Sequence, residues 1–500
     1  MTSVLQRLQE TVTETPTNII LSDETSQLSA AQLQAGISTL AARLAQHNIQ
    51  RLAVYADNGT DWVLLDLACQ QANIVLLPIP LFFSQQQIQH ALLSAGISHI
   101  CVGKGLNDAL AFLTLSNSAA LSGSFQLYPL PRPTSADLPV CTQKITFTSG
   151  SSGSPKGVCL SVDQQMTMVE ALLQRINHSG LKHLCLLPLS TLLENVAGVY
   201  APLLSSGSVI APPLASVGLS GSSGLHTPTL LAAIDRIQPN SLILLPQMLQ
   251  ALVMAANTGW QVPASLRFVA VGGAKVAEGL IAAAVAVGIP VFQGYGLSEC
   301  ASVVALTDVS CQMSASVGKP LNHVDVAIEA GEVVVKGNVF LGYVDEPNSW
   351  YQQVLHTGDM GKIDLQGLLY LSGRKKNIQV SSFGRNINPE WIESELIAGS
   401  IIKQAVIYTE AKPYVVALIE PYSAAINAAE IAGYIAKVNT TLPDYAQLKH
   451  WCLLPTPLQQ TPQLLTNNGR LKREAFYQHY QHAIAALYSR EPQEANNAVF

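Results

Sequence analysis

Short apolar runs alternate with amphipathic stretches along most of this chain, and that alternation restricts the folds open to it. Residues 28–49 set Leu33, Ile37, Leu40 and Leu44 at helical spacing. Arg51-Leu52-Ala53-Val54-Tyr55 then reads as a strand, 61–72 as a helix, 74–78 as a strand, 84–95 as a helix and 99–102 as a strand. The pattern resumes with strands at 182–188, 241–246, 267–271 and 290–292. Strands separated by helices imply a parallel sheet with helices packed on it. From about Ser316 the texture changes to short alternating segments, 324–328 and 332–336, which read as antiparallel strands around Gly331. Near Gly373 it changes again: 401–408 and 414–419 read as strands, 389–396 and 424–438 as helices, and the tail after Arg490 as frayed. The 500 residues exceed one ordinary core. The expected fold class is α/β. A large N-terminal domain of parallel α/β layers covers 1–375, with a β subdomain at about 316–372. A small α+β C-terminal domain covers 376–500.

Composition narrows the function. Hydrophobic residues make up 48% and charged residues 12%, with a formal net charge of −6. This balance excludes a disordered chain and offers no basic field for nucleic acid. No charge occurs between Glu194 and Asp235, but Pro202, Pro212, Pro213 and Pro228 interrupt the stretch. No clean span of about 20 apolar residues remains, so no transmembrane segment is expected, which leaves room for peripheral membrane contact. The N-terminus lacks a signal-peptide apolar region, and the eight cysteines form no Cys-x-x-Cys pair. The expected location is the cytoplasm. Cys300 reads as a small buried filler.

The stretch Phe147-Thr148-Ser149-Gly150-Ser151-Ser152-Gly153-Ser154-Pro155-Lys156-Gly157-Val158 packs hydroxyls and glycines tightly and adds one lysine. Glycines let backbone N–H groups converge into an anion nest. Hydroxyl donors and a point charge complete what a polyphosphate needs. A flexible linker has similar composition, but apolar segments run directly into and out of this loop. It is not the loop of P-loop NTPases, because Gly157 and Val158 follow the lysine.

Further segments have chemical character. Gly272-Gly273-Ala274 and Gly294-Tyr295-Gly296-Leu297-Ser298-Glu299 each follow a strand. Glycines there permit close ligand approach, Tyr295 offers a stacking face, and Glu299 is a hard oxygen ligand for Mg²⁺. Asp359, in His356-Thr357-Gly358-Asp359, has a carboxylate able to take both ribose hydroxyls, or else closes an Asx-type turn. The basic runs Gly373-Arg374-Lys375-Lys376-Asn377 and Ser382-Phe383-Gly384-Arg385-Asn386 fall where composition marks a domain boundary, although such clusters are commonly solvated faces.

In this order, over nearly the whole chain, these motifs resemble those of the adenylate-forming superfamily of acyl-CoA synthetases, luciferases and peptide-synthetase adenylation domains. The form of Gly384-Arg385-Asn386-Ile387 followed by Pro389-Glu390 is similar to long-chain acyl-CoA synthetases. The resemblance implies two half-reactions: a carboxylate attacks the α-phosphate of ATP, then a thiol displaces AMP. It assigns Thr148, Ser149, Gly150, Ser151, Ser152, Gly153 and Lys156 to the phosphates. Glu299 and Thr148 would organise Mg²⁺. Tyr295, within Gly294–Ser298 and beside Gly272, Gly273 and Ala274, would take the adenine. Asp359 and Arg374 would take the ribose. The C-terminal domain is implied to be a mobile lid with Lys376 as its hinge, and Gly384 and Arg385 on the side of the thiol, either coenzyme A or the phosphopantetheine of an acyl carrier protein acting in trans. The acid would be a medium- or long-chain fatty acid or another carboxylic acid.

Three positions depart from the family pattern. Thr466-Asn467-Asn468-Gly469-Arg470-Leu471-Lys472 puts Arg470 where the family's catalytic lysine stands, with Lys472 two residues on and on the same face of an extended segment. Arginine can still neutralise charge developing on the α-phosphate. Both remain candidates, and loss of the lysine also admits a non-catalytic nucleotide or acyl-adenylate binder. Thr191 and Leu193 stand where long-chain synthetases carry histidine and an aromatic residue. The uncharged stretch after Glu194 then reads either as acyl-pocket lining or as plain core. His356 stands where arginine is common. The segment 187–194 lacks the aspartate with which amino-acid adenylation domains hold the substrate amine.

Overall fold

The computed structural model of this protein describes residues 3–489 apart from 114, 116–117, 123, 132–135, 149–154, 222–223, 312–314 and 467–469. The strand–helix alternation produces two large sheets. In one, Val291–Tyr295, Phe268–Val271, Ser241–Leu244, Lys182–Leu184, Ser208–Ile210 and Ile19–Ser22 lie side by side in that order, all parallel. In the other, Lys144–Thr148, Val75–Pro78, Arg51–Tyr55 and His99–Gly103 are parallel, with antiparallel strands added at both edges. Helices Ala30–Gln46, Gln85–Ser94 and Val162–Ile176 each start at a Ser-x-x-Gln capping box, in which serine and glutamine satisfy otherwise unpaired N–H groups. Leu33, Ile37, Leu40 and Leu44 are buried as their spacing requires.

The strand expected at 182–188 ends at Leu184. Beyond it, side chains take over the backbone donors: Leu186 N–H donates to Glu194 Oε1 at 3.1 Å and Leu189 N–H to Asn58 Oδ1 at 2.8 Å. The uncharged stretch forms a π-helical turn, Val196–Tyr200, then helix Ala201–Leu204 and strand Ser208–Ile210. Val196, Val199, Tyr200 and Ala201 are fully buried. No helix among the described residues is long and apolar enough to cross a membrane.

Strands Val324–Glu329, Glu332–Gly337, Val354–Ile363 and Leu369–Arg374 form an antiparallel sheet. Its first hairpin turns at Ala330 and Gly331, both at positive φ, which matches the twist of the flanking strands. After Arg374 the chain builds a three-stranded sheet of Ile402–Tyr408, Val415–Pro421 and Leu448–Leu453. Ile392, Ile407, Ala417 and Ile431 fill one side of it, and Val406, Leu418, Phe476 and Ile484 the other.

One charged group lies deep in the core. Lys144 opens the strand that leads into the Gly/Ser loop, and its ammonium sits 2.8 Å from Asp66 Oδ1 and 2.7 Å from the Tyr200 hydroxyl. Tyr200 and Asn195 donate to Asp66 Oδ2 at 2.6 and 2.9 Å. Lys144, Asp66, Asn195 and Tyr200 are all buried. The network fastens the loop-bearing strand to helix Thr60–Gln71 and to the π-helical turn.

Candidate active site

Two strands followed directly by glycine bring the predicted nucleotide residues together. Phe268–Val271 and Val291–Tyr295 are neighbours, so the turn after one faces the end of the other. A Cβ on Gly296 would fall 1.6 Å from the Ser302 carbonyl oxygen, so only glycine fits there. Tyr295 is 9% exposed, and its hydroxyl donates to Asp359 Oδ2 at 2.6 Å. Arg374 Nε lies 2.8 Å from Asp359 Oδ1 and its Nη1 donates to the Thr357 carbonyl at 3.0 Å. Asp359 is therefore gripped from both sides. Burial raises its carboxyl pKa above the ordinary value, opposed by the Arg374 charge and the Tyr295 hydrogen bond. Burial, then the facing carboxylate, pushes the Tyr295 phenol well up, so it remains a donor.

Lys156 pairs with Glu346 at 2.9 Å and sits 4.6 Å from the centre of the Tyr343 ring. The Tyr343 hydroxyl in turn donates to Glu299 Oε1 at 2.9 Å. The predicted phosphate lysine and the predicted metal carboxylate are thus joined through one short segment. Glu299 and Ser298 lie on the short turn Ser298–Cys300, where Cys300 is buried and its thiol pKa is raised by burial, then by Glu299. Glu299 is half-buried and supplies hard oxygen atoms, which fits Mg²⁺. Ser149, Gly150, Ser151, Ser152 and Gly153 lie outside the described residues, as does the side chain of Thr148. The Thr148 backbone pairs with Lys156 at the mouth of that loop.

The two candidates for the catalytic cation differ in direction. Arg470 Nη2 donates to the carbonyl of Gly273 at 3.0 Å, across from the C-terminal unit to the glycine turn of the large one. Lys472 instead aims its ammonium at the Gln463 carbonyl of its own unit, 3.4 Å away. Much of Arg470 is open to solvent, yet protein surrounds its head group. Its pKa is lowered by burial and then by Arg374, with Glu390 and Asp359 opposing.

Lys376 borders this cluster: burial and then the Arg374 charge lower its pKa, with Glu390 and Glu474 opposing. Lys376 sits on the turn Lys375–Asn377, directly after Arg374. Gly384 and Arg385 occupy the tip between strands Gln379–Val380 and Asn386–Ile387; both backbone N–H groups bond back to Ser381. His356 is exposed, with Nδ1 3.8 Å from Glu332. The segment 187–189 is bracketed by Asn58, whose amide donates to the Leu187 carbonyl and accepts from Leu189. Among the described residues one further group has metal-ligand character: His183, Cys185 and Glu194, all buried and within 4.8 Å of one another. Glu194 there already meets His183 Nε2 and the Leu186 N–H, and His183 Nδ1 meets Ser241. These bonds pin the turn after the shortened strand.

Sequence reading missed Glu346, Tyr343 and the role of the Tyr295 hydroxyl. Each makes its contact across a wide gap in sequence, and no local pattern marks it. Glu390 lies near Asp359 and Arg470, a proximity that its place in the sequence does not reveal.

A family model for AMP-binding enzymes matches residues 8–344, and one for the AMP-binding enzyme C-terminal domain matches 376–492. The chain belongs to the AMP-binding enzyme family. This AMP-binding enzyme is 29% identical over 238 residues to the long-chain-fatty-acid–CoA ligase FadD15 of Mycobacterium bovis, a match spanning 41% of the chain and 39% of that ligase. It is 27% identical over 403 residues to a feruloyl-CoA synthase of an Amycolatopsis species, covering 74% and 78% of the two chains. In architecture it is similar to O-succinylbenzoate coenzyme A synthetase (MenE) from Bacillus subtilis in complex with AMP. That likeness has a TM-score of 0.76 at 20% identity over 99% of both chains and concerns the fold of this AMP-binding enzyme.

Proposed function

We propose that this protein is an AMP-forming acid–thiol ligase that activates a medium- or long-chain fatty acid with ATP and transfers it to coenzyme A. The observation that carries the reading is the junction at Asp359. A carboxylate clamped by Tyr295 and Arg374 is poised for two ribose hydroxyls, and Arg470 of the C-terminal unit reaches the neighbouring Gly273 turn.

In the first half-reaction a carboxylate oxygen attacks the α-phosphorus, the bond to the β-phosphate breaks, and pyrophosphate leaves. Arg470 is aimed to offset charge gathering on the α-phosphate. Lys156 and the Gly/Ser loop hold the outer phosphates, and Glu299 is the side chain to hold Mg²⁺, which supplies further neutralisation when bound. In the second half-reaction a thiol sulfur attacks the acyl carbon, the C–O bond to AMP breaks, and the thiol proton passes to solvent. Lys376 is the hinge between the two, and the Gly384–Arg385 tip serves the second. The units on either side of that hinge are 1–375 and 376–500. A fatty substrate is favoured by the long-chain form of the motifs.

ATP–pyrophosphate exchange with dodecanoate, ferulate and 2-succinylbenzoate, each with Mg²⁺, tests the reading. Exchange with dodecanoate, followed by thioester formation on adding coenzyme A, is expected. Exchange with only an aryl acid would overturn the substrate class. Transfer only to a carrier protein would move the acceptor. ATP binding with no exchange for any acid would mark a binder.

The raised Asp359 carboxyl predicts a pH dependence. Its ionised form accepts the ribose hydroxyls, so ATP affinity should fall as pH drops through a value above the usual aspartate pKa of about 4. Asp359→Asn should bind weakly throughout and lose that component. Calorimetric titrations of both proteins across the range cancel the protonation of ATP itself; superimposable profiles would refute the assignment.

A further inference from the structure

Helix Pro246–Asn257 of the large unit carries a glutamine that is 6% exposed, Gln250. A buried amide must find partners for both its ends. Gln250 finds three, all in the C-terminal unit. Its Nε2 donates to the carbonyls of Ile397 and Gly399 at 2.8 and 2.7 Å, and its Oε1 accepts from the Tyr422 hydroxyl at 2.8 Å. Ile397 is the last residue of helix Pro389–Ile397, whose final carbonyls have no partner within the helix. The glutamine therefore caps a helix that belongs to the other unit. The capped turn is itself held: Gly399 N–H donates to the Tyr434 hydroxyl at 2.9 Å. A Cβ on Gly399 would meet that hydroxyl oxygen at 2.6 Å and the ring at 2.8 Å.

The same helix leads to the active site. Glu393, one turn before its end, receives both guanidinium nitrogens of Arg473, one of them at 2.7 Å. Arg473 opens helix Arg473–His479, directly after the segment that carries Arg470. Trp391, near the start of the capped helix, lies under Lys275, with the ammonium 5.9 Å from the ring centre. A continuous set of contacts thus runs from Gln250 through helix Pro389–Ile397 and the Glu393–Arg473 pair to Arg470 and the Gly273 carbonyl. Only an amide suits the first position. A carboxylate there would face two carbonyl oxygens, and an alkyl chain would leave those carbonyls without a donor.

We propose that Gln250 is a positioning residue that holds the C-terminal unit in the orientation bringing Arg470 to the Gly273 turn, and so governs acyl-adenylate formation but not thiol transfer. This rests on the ligase reading above. Each lost hydrogen bond weakens only the orientation that contains it, so an effect confined to one half-reaction distinguishes a latch from a general packing role.

The test uses the full chain with Gln250→Leu, Gln250→Glu and Tyr422→Phe. Pyrophosphate exchange is measured with dodecanoate, and thioester formation with synthetic dodecanoyl-adenylate plus coenzyme A. Gln250→Leu should lower exchange about tenfold and Tyr422→Phe about threefold, as expected for several hydrogen bonds and for one. Gln250→Glu should resemble the leucine variant, and the thioester step should stay within about twofold of wild type. Amide hydrogen exchange should quicken at both 397–401 and 470–473 in Gln250→Leu. An equal fall in both half-reactions, or unchanged exchange, would overturn the proposal. If the wild-type protein makes no adenylate from dodecanoate, the substrate reading falls separately. Hydrogen exchange then decides the latch: unaltered protection at 470–473 in Gln250→Leu overturns it, and lost protection upholds it.

Discussion

Replacing Arg470 with alanine should lower acyl-adenylate formation by about 10²–10³-fold, the usual cost of removing one preorganised charge-stabilising donor. The guanidinium already crosses to the Gly273 carbonyl and shares its surroundings with Asp359 and Arg374. Arg470→Lys should retain activity within about tenfold of wild type, because the charge persists while the planar fork is lost. Lys472→Ala should change the rate by less than about twofold, since its ammonium points to Gln463. Thioester formation from a supplied acyl-adenylate should be untouched by all three. Pre-steady-state release of pyrophosphate measures the first step directly. A large loss in Lys472→Ala with little in Arg470→Ala would reverse the assignment.

The second large effect concerns stability. Lys144→Met strands the Asp66 carboxylate in a fully buried site, which should cost about 3–5 kcal/mol. Burial already pulls the Lys144 pKa down, and Asp66 opposes that pull. Adding Asp66→Asn should recover most of the loss. The neutral amide oxygen can still accept from the Tyr200 hydroxyl, which donates to Asp66 at 2.6 Å. Urea unfolding of the single and double variants gives both values. A single-variant loss below about 1 kcal/mol would refute a dry, charge-paired site. The damage should also reach the nucleotide site, because Lys144 opens the strand that delivers the Gly/Ser loop.

Much of the architecture was legible because periodicity is local. The spacing of Leu33, Ile37, Leu40 and Leu44 needs no knowledge of the partner surface, and all four are buried. Motif order was equally readable, since each glycine turn directly follows its strand. Long-range pairing was not readable. Lys144 has the appearance of an ordinary surface lysine until Asp66, Asn195 and Tyr200 converge on it. Tyr295 offered a ring for stacking, yet its hydroxyl is engaged in holding Asp359. The choice between Arg470 and Lys472 depended on which side chain crosses to the large unit, which spacing along the chain does not encode. The strand at 182–188 ran too long in sequence because side-chain acceptors on Asn58 and Glu194 are invisible to apolar patterning.

The Lys156–Glu346 pair bears on how a nucleotide enters. The lysine does not wait as a bare cation; it is already paired, over the face of Tyr343. If Lys156 holds the outer phosphates as proposed, a triphosphate exchanges places with a carboxylate, so its arrival swaps one counterion for another. AMP lacks the outer phosphates and gives Glu346 no competitor, so the pair can re-form once pyrophosphate has gone. Glu346→Gln should accordingly tighten ATP more than AMP, a difference that paired calorimetric titrations would read. On that account, selectivity for the triphosphate lies partly in an internal anion that only a stronger anion can displace.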